Sequence, residues 1–319
     1  MAQYLLRRLI LAAVTIFGIT VVIFLAMRVL PGDPLAMIYG EGQGIYVLSE
    51  EELAAARASL GLDRPLHLQY LGWMMDVARG ELGYSFWVDV PIRDTILRRG
   101  PITAQIAFIS ILLAWVIGVP IGIISALWRE SALDYVLRIL VTLFMAIPSF
   151  WLGLTMILVA VLAFNWRPSI TIVQFWDNPR ENMLMVLGPS IAIGVGLAAL
   201  IARMTRTTVL EVLREDYVRT ARAKGLGDRL IMLRHVLKNA ILPVLTLSGL
   251  ALAGLLGGSV AVERAFGFPG LGMALAQASV ERDWMMVQNL TLLFAVTFVF
   301  INLLIDILYA WIDPRIRYE

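Results

Sequence analysis

Few side chains in this sequence could carry out chemistry, and the most conspicuous of them is the carboxylate of Asp306. It lies inside a long apolar run near the C-terminus, where a charged group is costly and is therefore a candidate for function. Because Asp306 lies close to the end of that run, a structural partnership with an arginine or backbone group of a neighbouring helix is the favoured interpretation. A direct functional role is the alternative.

The sequence offers neither a catalytic pair nor a metal site. It contains no cysteine, so thiolate chemistry and disulfides are excluded. Its two histidines, His67 and His235, lie in segments predicted below to face opposite sides of a membrane, so they cannot share a metal ion or a catalytic triad. The H-E-x-x-H motif is also missing, which disfavours an intramembrane hydrolase.

A phosphate-binding loop of the G-x-x-x-x-G-K-[ST] type is also missing from the sequence. That loop needs a lysine directly after a glycine, but Lys224 follows an alanine and Lys238 follows a leucine. No other lysine is present. The chain is therefore expected to bind no ATP through such a loop, and any process driven by ATP would need a separate ATPase polypeptide.

The segment 211–242 carries the most informative pattern of charged and small residues. Ala221 and Gly225 are small, Gly225 and Gly227 stop a helix, and Asp228 is placed to cap the next one. Leu213, Tyr217 and Ala221 are spaced to share one helical face. The pattern predicts a short charged helix, a sharp break and a second helix. Such a helix suits docking into a groove of a soluble partner; a basic loop resting on anionic lipid is the alternative.

The composition of the chain places these residues in a membrane protein. Of its 319 residues, 60% are hydrophobic and 16% are charged, and its mean hydropathy is +0.81. A soluble domain is about one quarter charged. The net charge of +2 is too small to indicate nucleic-acid binding. Apolar runs long enough to span a bilayer predict six transmembrane helices, at 9–30, 102–128, 135–164, 183–202, 241–262 and 284–311.

Basic residues predict the orientation of these spans. The segment 203–238 contains nine lysines and arginines against four acids, and both chain ends are basic. With six spans, these three stretches share one side, which the positive-inside rule makes cytoplasmic. An even number of spans places the N- and C-termini together there. Arg98 and Arg99 abut the opposite side, but they end a long loop, where the rule is weak.

The remaining organisation has three parts. Residues 1–30 are expected to form the cytoplasmic N-terminus and first span, 31–101 an extracytoplasmic segment, and 102–319 a transmembrane core of the other five spans with the cytoplasmic loop 203–240. Short helices are predicted at 49–60 and 66–79 in the outer segment, lying on the membrane or covering a pore mouth. Pro120 and Pro148 are expected to kink the second and third spans.

Several short motifs, taken in order, resemble the permease subunits of ABC importers, and specifically the first (B-type) permease of the dipeptide, oligopeptide and nickel group. They include YLLRRL at 4–9, RVLPGDP at 28–34, GLDRPL at 61–66, GELGYS at 80–85, FPGLG at 268–272 and DPRIR at 313–317. The central match is the cytoplasmic run Tyr217, Val218, Arg219, Thr220, Ala221, Arg222, Ala223, Lys224, Gly225 and Leu226. The resemblance covers nearly the whole chain, although the initial Glu and final Pro of the general importer loop are absent.

The resemblance implies an all-α fold of the type I importer permease kind in the inner membrane of a prokaryotic cell. It implies that 217–226 is a coupling helix inserted into a cleft of an ATPase subunit. The implied partners are a second, C-type permease, one or two ATPase subunits holding ATP and Mg, and an extracytoplasmic substrate-binding protein. The chain itself would be non-catalytic and would bind no cofactor.

The positions of residues relative to the predicted spans yield two weaker sets of candidates. The turn after the fifth span could dock the binding protein or form an outer gate through Glu263, Arg264, Phe268, Pro269 and Gly270. Met145, Pro148 and Asp306 are candidates for the pathway. For each set, a packing or structural role is the alternative.

The cargo implied by the resemblance is a dipeptide or oligopeptide, with nickel chelates, glutathione or oligosaccharides as alternatives. A secondary transporter driven by an ion gradient is the rival mechanism. Such transporters use buried carboxylates or histidines near the membrane midplane, and Asp306 by itself is a poor relay.

Overall fold

The computed structural model describes residues 2–29, 51, 63–85, 90–165 and 171–312. The described residues are almost entirely helical. In chain order the helices are α1 (Ala2–Val29), α2 (Leu66–Arg79), α3 (Ile92–Leu127), α4 (Ala132–Ala146), α5 (Ser149–Phe164), α6 (Pro179–Val212), α7 (Asp216–Ala223), α8 (Asp228–Ile231), the π-helical turn Met232–Val236, α9 (Leu237–Gly258), α10 (Val260–Phe266), α11 (Leu271–Val280) and α12 (Trp284–Ile312).

Five segments are long and apolar enough to cross a membrane as single spans. They are Leu6–Arg28, Ile92–Leu127, Pro179–Val212, Asp228–Leu255 and Trp284–Tyr309, and the bent pair α4 and α5 makes up to six. This count of five to six agrees with the prediction of about six spans. Their lengths differ from prediction, because α3 begins ten residues before position 102 and α6 ends ten residues after position 202.

The predicted third span is not one helix but two, which are bent by 96° relative to each other. The break falls at Pro148, as expected. Ile147 is extended, with φ −78° and ψ 121°, because the ring of a following proline disfavours helical backbone. Pro120 is different. It lies inside α3, which the structure describes as one continuous helix, so this proline does not break its span.

Helix α3 packs closely against α6 on both sides of Pro120. Gly118 and Gly122, one turn apart on either side of it, lie on the backbone of α6. A Cβ at Gly118 would lie 2.5 Å from the carbonyl oxygen of Ala198, and a Cβ at Gly122 would lie 2.6 Å from that of Ala202. Small residues at this spacing let two membrane helices approach closely.

The fifth predicted span ends earlier than expected. Helix α9 stops at Gly258, and after Ser259 the chain continues as the separate short helix α10. A Cβ at Gly254, shortly before this break, would meet nothing within 4 Å, so this glycine makes no close helix contact within the described chain.

The outer helix α2 is confirmed at the predicted residues, and it packs against α1 and α12. Trp73 on this helix is buried, with Tyr70 and Val77 packed beside it, against Phe24. Leu66, at the first turn, is 51% exposed. Apart from position 51, the predicted helix 49–60 lies outside the described residues, as does the C-terminal motif 313–317.

Candidate coupling site

The predicted coupling segment forms a helix, α7, on the side of the molecule that carries the basic loop. It ends in a Schellman motif. Gly225 has φ +78°, a left-handed conformation that favours glycine. The backbone N–H of Gly225 donates to the carbonyl of Arg222 at 2.9 Å, and that of Leu226 donates to Ala221 at 3.3 Å. The sharp break after the helix is thus encoded by one glycine.

The face of α7 that is buried differs from the predicted one. Val218 and Ala221 are buried against Val209 of α6 and against Ile231 and Val236 of the following turn. The small residue Ala221 therefore packs within this chain, and the coupling role of the segment 217–226 remains a prediction. The helix is held firmly between two membrane-spanning segments, because α6 precedes it and α9 follows it.

Tyr217 lies away from the buried face and is 42% exposed. Its hydroxyl accepts a hydrogen bond of 2.8 Å from the side-chain amide of Asn239, which ties the start of α7 to α9. Asp228 does not cap α8 as expected. Gly227 occupies the cap position without a side-chain bond, and Asp228 instead lies 3.6 Å from Arg222.

The outward face of α7 is polar and basic. Besides Tyr217, its exposed side chains are those of Asp216, Arg219, Thr220, Arg222 and Ala223, and Lys224 directly after the helix is exposed too. Arg219 lies 3.4 Å from Asp216 on the same helix, and such exposed pairs are weak. Because these pairs can open at small cost, the arginines are free to contact an acidic or polar groove of another protein.

A buried ion pair lies close to α7 in the same inner half of the molecule. The carboxylate of Asp134 is fully buried at the start of α4, and Arg206 of α6 binds it through two hydrogen bonds of 2.8 and 2.9 Å. The hydroxyl of Ser125 at the end of α3 donates to the same carboxylate at 2.5 Å. Three helices are joined there.

Sequence analysis did not single out this pair, although one signal was present. Ser131 accepts from the backbone N–H of Asp134 as an N-cap, and Ser-x-x-Asp before an apolar run is a capping signature. Nothing in the sequence indicated that Arg206 would reach it. Arg206 also borders a cleft of about 420 Å³, which is lined by Arg138 and Arg203 as well.

The outer turn after α9 is mostly buried within the chain. Glu263 is 1% exposed and Phe268 is 2% exposed, and Gly270 is buried too. Glu263 accepts hydrogen bonds of 2.6 Å from the hydroxyl of Ser259 and from the backbone N–H of Met273. It therefore caps the N-terminus of α11, where a carboxylate is favoured by the helix dipole.

Within that candidate docking set, Arg264 is exposed and Pro269 is half-buried. A Cβ at Gly270 would overlap the carboxylate of Glu263, so this glycine is needed for the turn. Any contact between the set and another protein has to pass mainly through Arg264. Docking at this turn remains a prediction.

The pathway candidates lie in two separate places. Pro148 marks the bend between α4 and α5, and Met145 lies next to it with 36% of its surface exposed. Asp306 pairs with Arg8 of α1 at 3.0 Å, which is the structural partnership expected for it. Within the described ranges, no three histidine or acidic side chains lie close enough together to hold a metal ion.

Comparison with known protein families accounts for almost the entire chain. Residues 118–318 match the model of the binding-protein-dependent transport system inner membrane component. Residues 1–107 match the N-terminal model of the corresponding membrane components. Together the two matches leave uncovered only residues 108–117, in the middle of α3, and the last residue.

Individual relatives agree with this assignment over their full lengths. A protein of Brucella abortus (strain 2308), whose name describes a peptide transport system permease, is 35% identical over 319 residues, which is all of both chains. The glutathione transport system permease protein GsiC of Escherichia coli (strain K12) is 36% identical, again over all of both chains.

Among solved structures, the inward-facing methionine ABC transporter MetNI has a chain of similar fold. The TM-score is 0.57 at 20% identity, with 70% of this chain and 98% of that chain covered. This likeness concerns the fold alone. The resemblance to an ABC importer permease is confirmed by the family matches, and the chain is a multi-pass protein of the inner membrane. It belongs to the family of inner membrane components of binding-protein-dependent transport systems.

Proposed function

We propose that this chain forms half of the translocation pathway of an ATP-driven importer, and that α7 couples it to a separate ATPase subunit. A second, related permease completes the pathway, and an extracytoplasmic binding protein delivers the cargo. ATP and Mg are bound and used in the one or two ATPase subunits, so this chain is not itself an enzyme. The observation that carries the proposal is the exposed, basic and rigidly mounted helix α7.

The mounting of α7 supports a mechanical role. Val218 and Ala221 pack against Val209 in α6 and Val236 before α9, so a force on α7 passes into two spans at once. The pair of Asp134 and Arg206 then links α6 to α4, which leads to the bend at Pro148. Closure of the ATPase subunits can thereby bias a two-state rearrangement of the bundle.

The cargo we propose is a short peptide. The Brucella relative is named for peptide transport, and the Escherichia coli relative is named for glutathione, which is itself a tripeptide. Glutathione is therefore the second candidate. These names favour peptidic cargo over nickel chelates or oligosaccharides. Uptake of labelled dipeptide, oligopeptide and glutathione, each with the cognate binding protein, separates the two candidates.

The coupling role is tested by two matched glycine substitutions, Gly225→Val and Gly227→Val. A Cβ would meet nothing within 4 Å at either site, but Gly225 has φ +78° and Gly227 has φ −66°. Valine fits the backbone conformation at position 227, but at position 225 it strains the backbone by roughly 1–2 kcal/mol. We expect Gly225→Val to lower ATP-dependent uptake several-fold in the purified complex while ATP hydrolysis persists. Gly227→Val should behave as the parent.

The controls for this experiment are assembly of the complex and the energy source of uptake. Both variants should co-purify with the ATPase subunits, and the chain freed of those subunits should hydrolyse no ATP. Equal uptake and equal cargo-stimulated hydrolysis in both variants would remove the proposed role of α7. Uptake that runs on an ion gradient without ATP would identify a secondary transporter instead.

A further inference from the structure

The outer helix α2 lies beside the ends of the membrane spans rather than above them. The hydroxyl groups of Tyr70 and Thr20 share a hydrogen bond of 2.8 Å. The indole N–H of Trp73 donates to the side-chain oxygen of Asn289 at 3.2 Å, and the ring of Trp73 stacks on Phe24 at 6.3 Å. These contacts are made with α1 and α12, which are two of the spanning helices.

The residues that α2 contacts on α1 and α12 indicate how deep α2 lies in the membrane. The first candidate span ends at Arg28, and Thr20 lies eight residues before that end, or about 12 Å along the helix. Asn289 lies five residues after Trp284, where α12 begins, or about 7 Å along it. Since the hydrocarbon core is about 30 Å thick, α2 lies at the level of the outer headgroup and upper acyl region.

The face of α2 that points away from the bundle is also apolar. Leu68, Leu71 and Met75 are 48%, 55% and 53% exposed. Their spacing of three and four residues places them on one stripe, opposite the stripe that carries Tyr70 and Trp73. At this depth an outward stripe of three large apolar side chains meets lipid rather than water.

The neighbourhood of this stripe is exposed and apolar as well. The helix α1, on which α2 lies, is little buried, and apolar side chains such as Phe17 and Val22 are exposed at 62% and 65%. The stripe on α2 therefore continues an exposed apolar surface of the chain, of the kind that lipid would cover. Arg64 and Arg79, at the two ends of α2, are exposed and can reach headgroup phosphates, as basic side chains do at membrane interfaces.

We propose that α2 is an interfacial membrane helix, whose stripe of Leu68, Leu71 and Met75 is buried in the outer leaflet of the bilayer. Its two apolar faces bind different partners: one packs on α1 and α12, and the other contacts acyl chains. The helix thus lies at the periphery of the bundle and does not cover the pathway. This decides between the two positions that the sequence left open for it.

The absence of cysteine from the sequence makes a site-specific test simple. We suggest Leu71→Cys and Met75→Cys, with Asp76→Cys as the control on the same helix, since Asp76 is exposed but turned away from the stripe. Each is labelled with an environment-sensitive fluorophore in the full chain, co-purified with its partner subunits. The complex is reconstituted in phosphatidylethanolamine–phosphatidylglycerol vesicles. The parent complex gives the background labelling.

The expected result is a blue-shifted emission at positions 71 and 75 but not at 76. Lipids carrying a nitroxide near the headgroup should quench fluorescence at positions 71 and 75 at least about twofold more than at position 76. The reason is that the apolar face of an interfacial helix lies about 5–10 Å deep in the headgroup region. An aqueous quencher should show the opposite order. Equal access of the aqueous quencher to all three sites would overturn the proposal. So would blue-shifted emission that the nitroxide lipids do not quench, because the stripe would then be covered by another protein.

Discussion

At the scale of single residues, the described chain contains one carboxylate whose burial is complete and whose charge is fully compensated. Asp134 has no exposed side-chain surface, and its carboxylate accepts two hydrogen bonds from Arg206 and one from Ser125. The backbone N–H of Glu130 adds a fourth at 3.1 Å. A buried charge is tolerable only with such partners, and these partners come from different helices.

We predict that Asp134→Ala destabilises the protein by about 3–5 kcal/mol, because it leaves the guanidinium of Arg206 half-buried without a counter-charge. The measurement is the unfolding midpoint of the purified complex in detergent. The matched control is Asp228→Ala, which removes the carboxylate from an exposed pair with Arg222 and should change the stability little. Similar losses of stability in both variants would show that the buried Asp134 pair contributes no more to stability than the exposed pair.

At the scale of secondary-structure elements, the fold depends on two long helices that touch through small residues. The helices α3 and α6 approach at Gly118, Gly122 and Ala114 on one side and at Ala198 and Ala202 on the other. Since lipid tails are as apolar as leucine side chains, close backbone packing rather than hydrophobic burial drives such pairs. A larger side chain at this contact separates the two helices.

We predict that Gly118→Ala destabilises the bundle strongly, although the same change is favourable in most helices. Its Cβ would lie 2.5 Å from a backbone oxygen, and backbone cannot give way as a side chain can. Gly196→Ala in α6 is the matched control, since a Cβ there meets nothing within 4 Å. Thermal unfolding and the yield of assembled complex measure both. A Gly118→Ala protein as stable as the control would contradict the packing described above.

At the scale of the whole molecule, the two candidate contact regions lie at opposite ends of one spanning helix. Helix α7 comes shortly before α9, and Arg264 comes shortly after it. The basic loop is expected to be cytoplasmic and the turn at Arg264 extracytoplasmic. A coupling role for α7 requires this orientation, because the ATPase works where ATP is supplied.

We predict that Arg222→Cys and Arg264→Cys are labelled from opposite sides of the membrane. In intact cells stripped of the outer membrane, a membrane-impermeant maleimide should label only position 264. In inverted vesicles it should label only position 222. The sequence contains no cysteine, so each variant carries a single thiol in this chain. Labelling of both sites from the same side would refute the six-span topology and the proposed coupling together.

The sequence by itself determined the class of this protein and the number of its spans. Six long apolar runs cannot be solvated by water, so the spans could be predicted from the sequence. A left-handed break favours a glycine, so the end of α7 could be predicted at Gly225. The bend at Pro148 was readable for the same local reason, because a proline constrains the residue before it.

Tertiary structure alone decided which residues face each other. Ala221 and Glu263 look like surface residues in the sequence, but the first is buried in its own chain and the second caps α11. The ion pair of Arg206 and Asp134, which lie 72 positions apart, depends on how the helices cross. So does the close packing of Gly118 on a neighbouring helix, which Gly254 lacks. Periodicity gives each helix an apolar face but does not name the partner, because partner choice depends on contacts between residues distant in the chain.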